Sequence, residues 1–271
     1  MPLPEFNLEG KVALVTGASR GLGRGIALTL AEAGADIVAV ARNASVVGDT
    51  AAEVQKLGRR CLAVPADLTQ EDQVAGMVEK AAGEFGRIDI LVNNLGRSEP
   101  KPLVPLGKKT VYSDMYPNFD TILTLDEWHE QLDINVTTTF LVTRAVGPHM
   151  IRQNKGKIIN ITSNQSTKAM LFHAAYGSAK AALNMFTKSL ALEWARYNIN
   201  VNAIGSGLAN TDLGRPYVEN EKLKDATMRM IPLRRLTEPR DIGLLAVYLA
   251  SEASNNVTGQ VVFCDGGQVI A

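Results

Sequence analysis

Val12-Ala13-Leu14-Val15-Thr16-Gly17-Ala18-Ser19-Arg20-Gly21-Leu22-Gly23 is the stretch in which the fold of this chain is decided. A continuous apolar run, of the kind that suits a strand buried on both faces, enters a turn with glycines at 17, 21 and 23. It passes directly into apolar residues at helical spacing. Glycines at such a turn let the backbone approach a pyrophosphate, while the start of the helix offers it free N–H groups. The spacing Gly-x-x-x-Gly-x-Gly differs from the Gly-x-Gly-x-x-Gly fingerprint. Taken alone, the turn also fits an ordinary strand-to-helix connection.

The same alternation continues outward. Apolar runs at 37–40, 61–64, 88–92, 157–161, 199–203 and 260–264 are separated by helical spacing at 46–57, 70–85, 125–150, 176–197 and 239–250. With the first run, this predicts seven parallel strands in one doubly wound α/β sheet, flanked by helices, as a single domain over residues 1–271. Two segments, 97–124 and 208–233, break the rhythm. Both follow strand C-terminal ends, where such sheets hold their ligands.

Composition excludes several functions. The 271 residues carry 28 Lys plus Arg against 28 Asp plus Glu, a balance that argues against a nucleic-acid footprint or a polybasic membrane surface. Cys61 and Cys264 show no metal-type spacing, so no disulfide framework and no metal site is expected, and reduced thiols point to the cytoplasm. The first residues lack the apolar core of a signal peptide, and no run approaches the roughly 18 apolar residues of a membrane span.

The second apolar run ends at Val40-Ala41-Arg42-Asn43, about twenty residues past the turn, where a carboxylate would bond the ribose 2′-hydroxyl of NAD. No acid stands there. Arg42 instead offers a guanidinium that can fork onto a 2′-phosphate, and Arg20 adds a second cation. The reading favours NADP(H), with Gly17, Ser19, Arg20, Gly21, Leu22, Gly23, Arg42 and Asn43 as cofactor residues. The competing reading leaves Arg42 a solvated loop charge.

Tyr176-Gly177-Ser178-Ala179-Lys180 opens a helical stretch in which Tyr176 and Lys180 share a face. A phenol of pKa near 10 serves as acid or base near neutrality when an adjacent cation lowers it. Ser163, just past the fifth apolar run, can reach the same pocket.

Together with Asp67-Leu68, Asn93-Asn94-Leu95-Gly96, Asn135 and Val257-Thr258-Gly259-Gln260, these pieces resemble the short-chain dehydrogenase/reductase (SDR) family over nearly the whole chain. The resemblance implies a Rossmann-type sheet, homodimers or homotetramers, and an oxidoreductase that interconverts a secondary alcohol and a ketone. By the resemblance, Tyr176 is the general acid in reduction and the base in oxidation. Lys180 depresses the tyrosine pKa and holds the nicotinamide ribose. Ser163 donates to the substrate oxygen, and Asn135 positions a water in the proton relay. Asp67 and Leu68 meet the adenine, Asn94 and Gly96 lie beside the adenosine ribose, and Ala209 and Thr211 contact the nicotinamide carboxamide and the phosphates.

Three positions depart from the family pattern. Leu95 replaces a small alanine, and Ser206 replaces a proline, which restores an N–H and is expected to loosen the turn. Asn164 to Ser166 lacks a glycine common there. The segment 97–124, with Lys101, Lys108, Lys109, Tyr112, Asp114, Met115, Tyr116 and Asp120, is longer than the family's usual connection and is read as a cap on the cleft or a surface excursion. The segment 208–233 matches a substrate lid, with Arg215, Tyr217, Met228 and Met230 as candidate lining, and His173 is a further candidate. The expected substrate is a small polar or cyclic ketone or alcohol of sugar-acid or polyol type. The alternatives are a 3-oxoacyl-carrier-protein reductase, using cations such as Arg152, Lys155 and Lys157, and a non-catalytic NADPH-binding scaffold.

Overall fold

The computed structural model describes residues 3–106, 121–212, 214–219 and 221–271. Strands β1 (Val12–Thr16), β2 (Asp36–Ala41), β3 (Cys61–Pro65), β4 (Ile90–Asn93), β5 (Gly156–Ser163), β6 (Ile199–Ser206) and β7 (Val261–Cys264) form one sheet in the order β3-β2-β1-β4-β5-β6-β7. Every neighbouring pair is parallel. The winding reverses between β1 and β4, which opens a crevice at their carboxyl ends.

The helices are α1 (Gly21–Glu32), α2 (Ala44–Lys56), α3 (Glu71–Phe85), α4 (Leu125–Leu132), α5 (Thr138–Gln153), α6 (Ala174–Trp194), α7 (Pro216–Glu219), α8 (Glu221–Arg229) and α9 (Pro239–Ala250). Alternate strand residues feed two cores, as the two-residue period requires. Ala13, Val15, Ile37 and Ala39 pack with Ile26 and Leu30 of α1 and Ile242 and Ala246 of α9. Val12, Leu14, Val38 and Val40 pack with Met77 of α3, Val146 and Met150 of α5 and Trp194 of α6. Truncating a fully buried residue such as Leu14 to Ala removes about 2–5 kcal/mol of stability.

The sequence reading needs four corrections. The fourth strand begins at Ile90 rather than 88, because the buried Asp89 uses its carboxylate to receive the Val12 N–H at 2.9 Å. Strands β5 and β6 run on through polar residues, pairing Thr162 with Gly205 and Ser163 with Ser206, past the point where the apolar runs end. Ser206 is therefore locked in the ladder and does not loosen a turn. The helix expected at 125–150 is interrupted by a π-helical turn at Asp133–Thr137, and the segment 208–233 contains α7 and α8 rather than open loop. Of the 97–124 residues singled out, Lys108, Lys109, Tyr112, Asp114, Met115, Tyr116 and Asp120 lie outside the described residues. Lys101 pairs with Glu127, and its N–H donates to Phe172 O at 2.8 Å.

Candidate active site

The glycine turn is shaped by what it lacks. A Cβ at Gly23 would lie 2.2 Å from Gly17 O, so α1 can follow β1 this closely only without a side chain there. Gly17 and Gly21 hold φ of 64° and 54°, which other residues rarely adopt. No side chain caps α1, and no acid stands in its first turn. Its leading N–H groups and the positive end of its dipole are thus left for an anionic ligand, and the residues fit the pyrophosphate of a dinucleotide. Asn94 straps β4 to this turn, donating Nδ2 to Thr16 O at 3.1 Å and Gly17 O at 3.4 Å. Ser19 and Leu22 are half-buried in the turn, and Leu22 packs on the core.

At the end of β2, Arg42 is exposed, and Asn43 caps α2 by accepting the Val46 N–H at 3.3 Å. The Asp67 carboxyl is held below its usual range by the backbone N–H and hydroxyl of Thr69, with a smaller contribution from Arg42. Leu68 beside it is buried. Arg20, expected as a second cation, has Asp212 3.8 Å away, but both side chains are well exposed and the pair is screened. Thr211 sits against Gly21, where an added Cβ would be 3.3 Å from Thr211 Cγ2. Ala209 bridges to Thr237, and the Thr211 contact with Gly21 sets the entry to the 208–233 segment against the glycine turn.

On the other side of the crevice, β5 delivers Ser163, and α6 delivers Tyr176 and Lys180 on one face. Ser163 is close enough to Tyr176 to stabilise its phenolate, and Lys180 Nζ lies 5.6 Å from the Tyr176 ring centroid and donates to Ile161 O at 3.1 Å. Gly96 fills the gap: a Cβ there would be 2.8 Å from Asn135 Oδ1 and 2.9 Å from Lys180 Nζ. Ser163, Tyr176, Lys180 and Asn135 thus converge around the turn that follows β4.

One expectation changes here. Burial pushes the Tyr176 phenol up, and the Ser163 hydrogen bond only partly offsets this, so the phenol is raised, not lowered, in the resting protein. The same burial lowers Lys180 to about 8. Each shift reflects an isolated buried charge, and each group is the natural partner of the other once the phenol ionises. Asn135, in the π turn, is fully buried, and its amide is already committed: Nδ2 donates to Arg97 O and Gln131 O at 2.8 Å, and Oδ1 accepts the Arg97 N–H at 3.3 Å. Its side chain ties the post-β4 turn to the helix.

Neighbours not anticipated from the sequence complete the site. Ser166 Oγ donates to Ser163 O at 2.5 Å and accepts Asn184 Nδ2 at 2.8 Å, and Asn164 meets Gln268 from the far end of the chain. His173 is buried, its ring edge-on to Tyr176 at 6.3 Å between centroids, and desolvation lowers its pKa. Among the proposed lid residues, Tyr217 is half-buried with its phenol pushed up by desolvation, whereas Arg215 and Met230 are exposed.

A doubly wound sheet with an anion-ready glycine turn facing a half-buried Tyr176 beside buried Lys180 and Ser163 defines an oxidoreductase that works with a nicotinamide dinucleotide. A family model described as enoyl-(acyl carrier protein) reductase matches residues 17–268. The chain is 37% identical over 268 residues to 2-dehydro-3-deoxy-D-gluconate 5-dehydrogenase of Escherichia coli strain K12, covering 98% of each chain. It superposes with TM-score 0.89 on the crystal structure of a gluconate 5-dehydrogenase from Burkholderia cenocepacia J2315 in complex with NADP and tartrate, at 35% identity and full coverage of both chains. It superposes with TM-score 0.87 on a 7α-hydroxysteroid dehydrogenase complexed with NADH and 7-oxo glycochenodeoxycholic acid, at 31% identity, covering 97% of this chain and 96% of that one. The chain belongs to the short-chain dehydrogenase/reductase family. It is an enzyme of alcohol and ketone interconversion acting on a small molecule with NAD(P). Among the described residues no helix is long and apolar enough to cross a membrane.

Proposed function

We propose that this chain is an NADP(H)-dependent dehydrogenase of sugar acids. The observation that carries the chemistry is the convergence of Tyr176, Lys180, Ser163 and Asn135 beside the glycine turn. The cofactor, when bound, supplies or receives the hydride. Gly17, Ser19, Arg20, Gly21, Leu22 and Gly23 would hold its pyrophosphate side, Asp67, Leu68, Asn94 and Gly96 its adenosine, and Ala209 and Thr211 the nicotinamide end. Arg42 and Asn43, at a β2 terminus with no carboxylate, favour a 2′-phosphate and hence NADP(H).

In reduction Tyr176 gives its proton to the carbonyl oxygen, and in oxidation it takes the proton back. Its raised resting pKa keeps the phenol protonated until the reaction draws on it, and the Lys180 ammonium then stabilises the phenolate left behind. Ser163 donates to the oxygen where charge develops. Ile161 O holds the Lys180 ammonium, and the missing side chain at Gly96 leaves room for it. Likeness to gluconate-type 5-dehydrogenases supports a sugar-acid substrate.

A carrier-protein substrate is not favoured by the cations considered for it. Lys157 is 5% exposed and Lys155 pairs with Glu252, which leaves little of a docking patch. The segment that carries α7 and α8 serves as the lid, and the connection that begins at Arg97 starts beside the site, where the Arg97 backbone is bonded to Asn135. Apolar side chains left exposed on α5 and α6 (Phe140, Met185 and Leu192) support a homodimer or homotetramer, in the cytoplasm. Turnover of a panel of keto sugar acids, cyclic ketones and 3-oxoacyl thioesters, each with NADPH and NADH, tests the proposal. Preference for the sugar acids with NADPH is expected. Preference for thioesters, or for NADH, would overturn the corresponding part.

A further inference from the structure

The hydroxyl of Ser163 has a single proton, and the direction of that proton at rest can be traced through three residues. The backbone N–H of Leu208 can only donate, and it donates to Gln268 Oε1 at 2.9 Å. This fixes which end of the Gln268 amide faces inward. The same oxygen receives Asn164 Nδ2 at 3.0 Å, which turns Asn164 Oδ1 toward Ser163, 3.3 Å from Oγ. Ser163 Oγ also accepts the Gln165 N–H at 3.2 Å, so its proton goes to Asn164. Gln268 is buried, and it is held closely enough that a Cβ on Gly207 would lie 2.5 Å from its Oε1. Amide orientations are read from the bonding network, and here a backbone donor anchors the whole chain of bonds.

We infer that Asn164 and Gln268 are positioning residues that set the proton direction of Ser163 and tie it to Leu208, where the 208–233 segment leaves the sheet. The inference rests on Ser163 acting on the substrate oxygen. At rest the Ser163 oxygen accepts the Gln165 N–H while its proton is parked on Asn164. To donate to a substrate oxygen, the hydroxyl rotates out of a long bond. A displacement of Leu208 is felt at Ser163 through two side-chain amides.

Asn164→Asp tests the polarity. An ionised carboxylate only accepts, so it faces Gln268 Oε1 acceptor to acceptor, and Gln268 cannot turn its amide without abandoning Leu208. A protonated carboxyl restores the order, donating to Gln268 and accepting from Ser163. The charged and titratable groups around position 164 are Lys168, whose Nζ donates to Gln268 O at 2.8 Å, and Asp265, which accepts the Gly267 and Val269 N–H groups. His173, Tyr176 and Lys180 add theirs from the α6 side. All of these are common to variant and parent, so the ratio of the two kcat values isolates position 164.

The expected ratio is about one tenth near pH 8, rising severalfold as the pH is lowered to about 5.5, with NADPH affinity unchanged. A 13C titration should place the new carboxyl above its ordinary range, with the Leu208 amide proton shifting in step. A flat kcat ratio, or a carboxyl that titrates normally while Leu208 does not respond, would overturn the inference. The NMR arm needs no turnover, so a protein inactive toward every ketone would defeat the functional reading while the positioning chain is still decided. Should the aspartate variant not fold, Gln268→Leu is expected to speed hydrogen exchange at the Leu208 amide by about tenfold or more, and unchanged exchange would overturn the inference equally.

Discussion

The glycine turn and the Tyr176 pocket face one another across a single crevice, yet they are made of opposite materials. At the turn, recognition is left to main chain: side chains are absent at Gly17, Gly21 and Gly23, and the α1 N–H groups stand uncapped. In the pocket nearly everything is side chain, with Lys180, Asn135, Ser163, Ser166 and Asn184 each bonded to an element other than its own. A main-chain site depends on a few consecutive residues, whereas a side-chain site depends on the whole fold arriving in register. Substitutions should therefore separate binding from chemistry.

The sharpest separation comes from Tyr176→Phe, which is expected to lower kcat by about 10²–10⁴-fold while NADPH binding, read by fluorescence titration, is retained. Loss of cofactor binding in that variant would mean that the two regions are not independent. Gly23→Ala is the converse. Its Cβ would collide with Gly17 O, and NADPH affinity should weaken roughly ten- to hundredfold, with kcat at saturating cofactor changed much less.

Gly96→Ala probes the seam. The added methyl displaces Lys180 Nζ and Asn135 Oδ1 by a few tenths of an ångström, and kcat should fall about tenfold with a smaller change in cofactor affinity. The gentlest test is pH. Lys180 carries its proton below about 8 and loses it above, so kcat/KM for reduction should decline as pH rises through that value. A profile level to pH 10 would show that the ammonium does not assist Tyr176.

The same contrast explains what was legible in the sequence. The turn, the strand alternation and the Tyr176–Lys180 spacing are local, so a few adjacent residues announce them. Asn164 and Gln268 meet across 104 positions, and neither belongs to a periodic pattern. The ends of β5 and β6 are polar and escape a search for apolar runs. Helix α8 (Glu221–Arg229) is strongly polar on average, so a search that starts from apolar residues passes over it. Arg20 belongs to the turn by sequence alone, but its neighbour Asp212 arrives from a segment whose path the sequence does not dictate.

The π turn at Asp133–Thr137 has a consequence for how this helix can change. Buried positions run along it from Gln131 through Asn135, Val142 and Val146 to Met150, an advance of nineteen residues. Five turns of a straight α-helix use about eighteen. The widened turn absorbs the surplus residue and keeps the inward stripe at one azimuth along the whole rod. Deleting a single residue within Asp133–Thr137 would therefore have a repair ready to hand: the π turn relaxes to α, the stripe on either side stays in phase, and the length change is taken up at the segment that carries Asn135. The loss would fall on Asn135 and on the turn it tethers, while the core is spared.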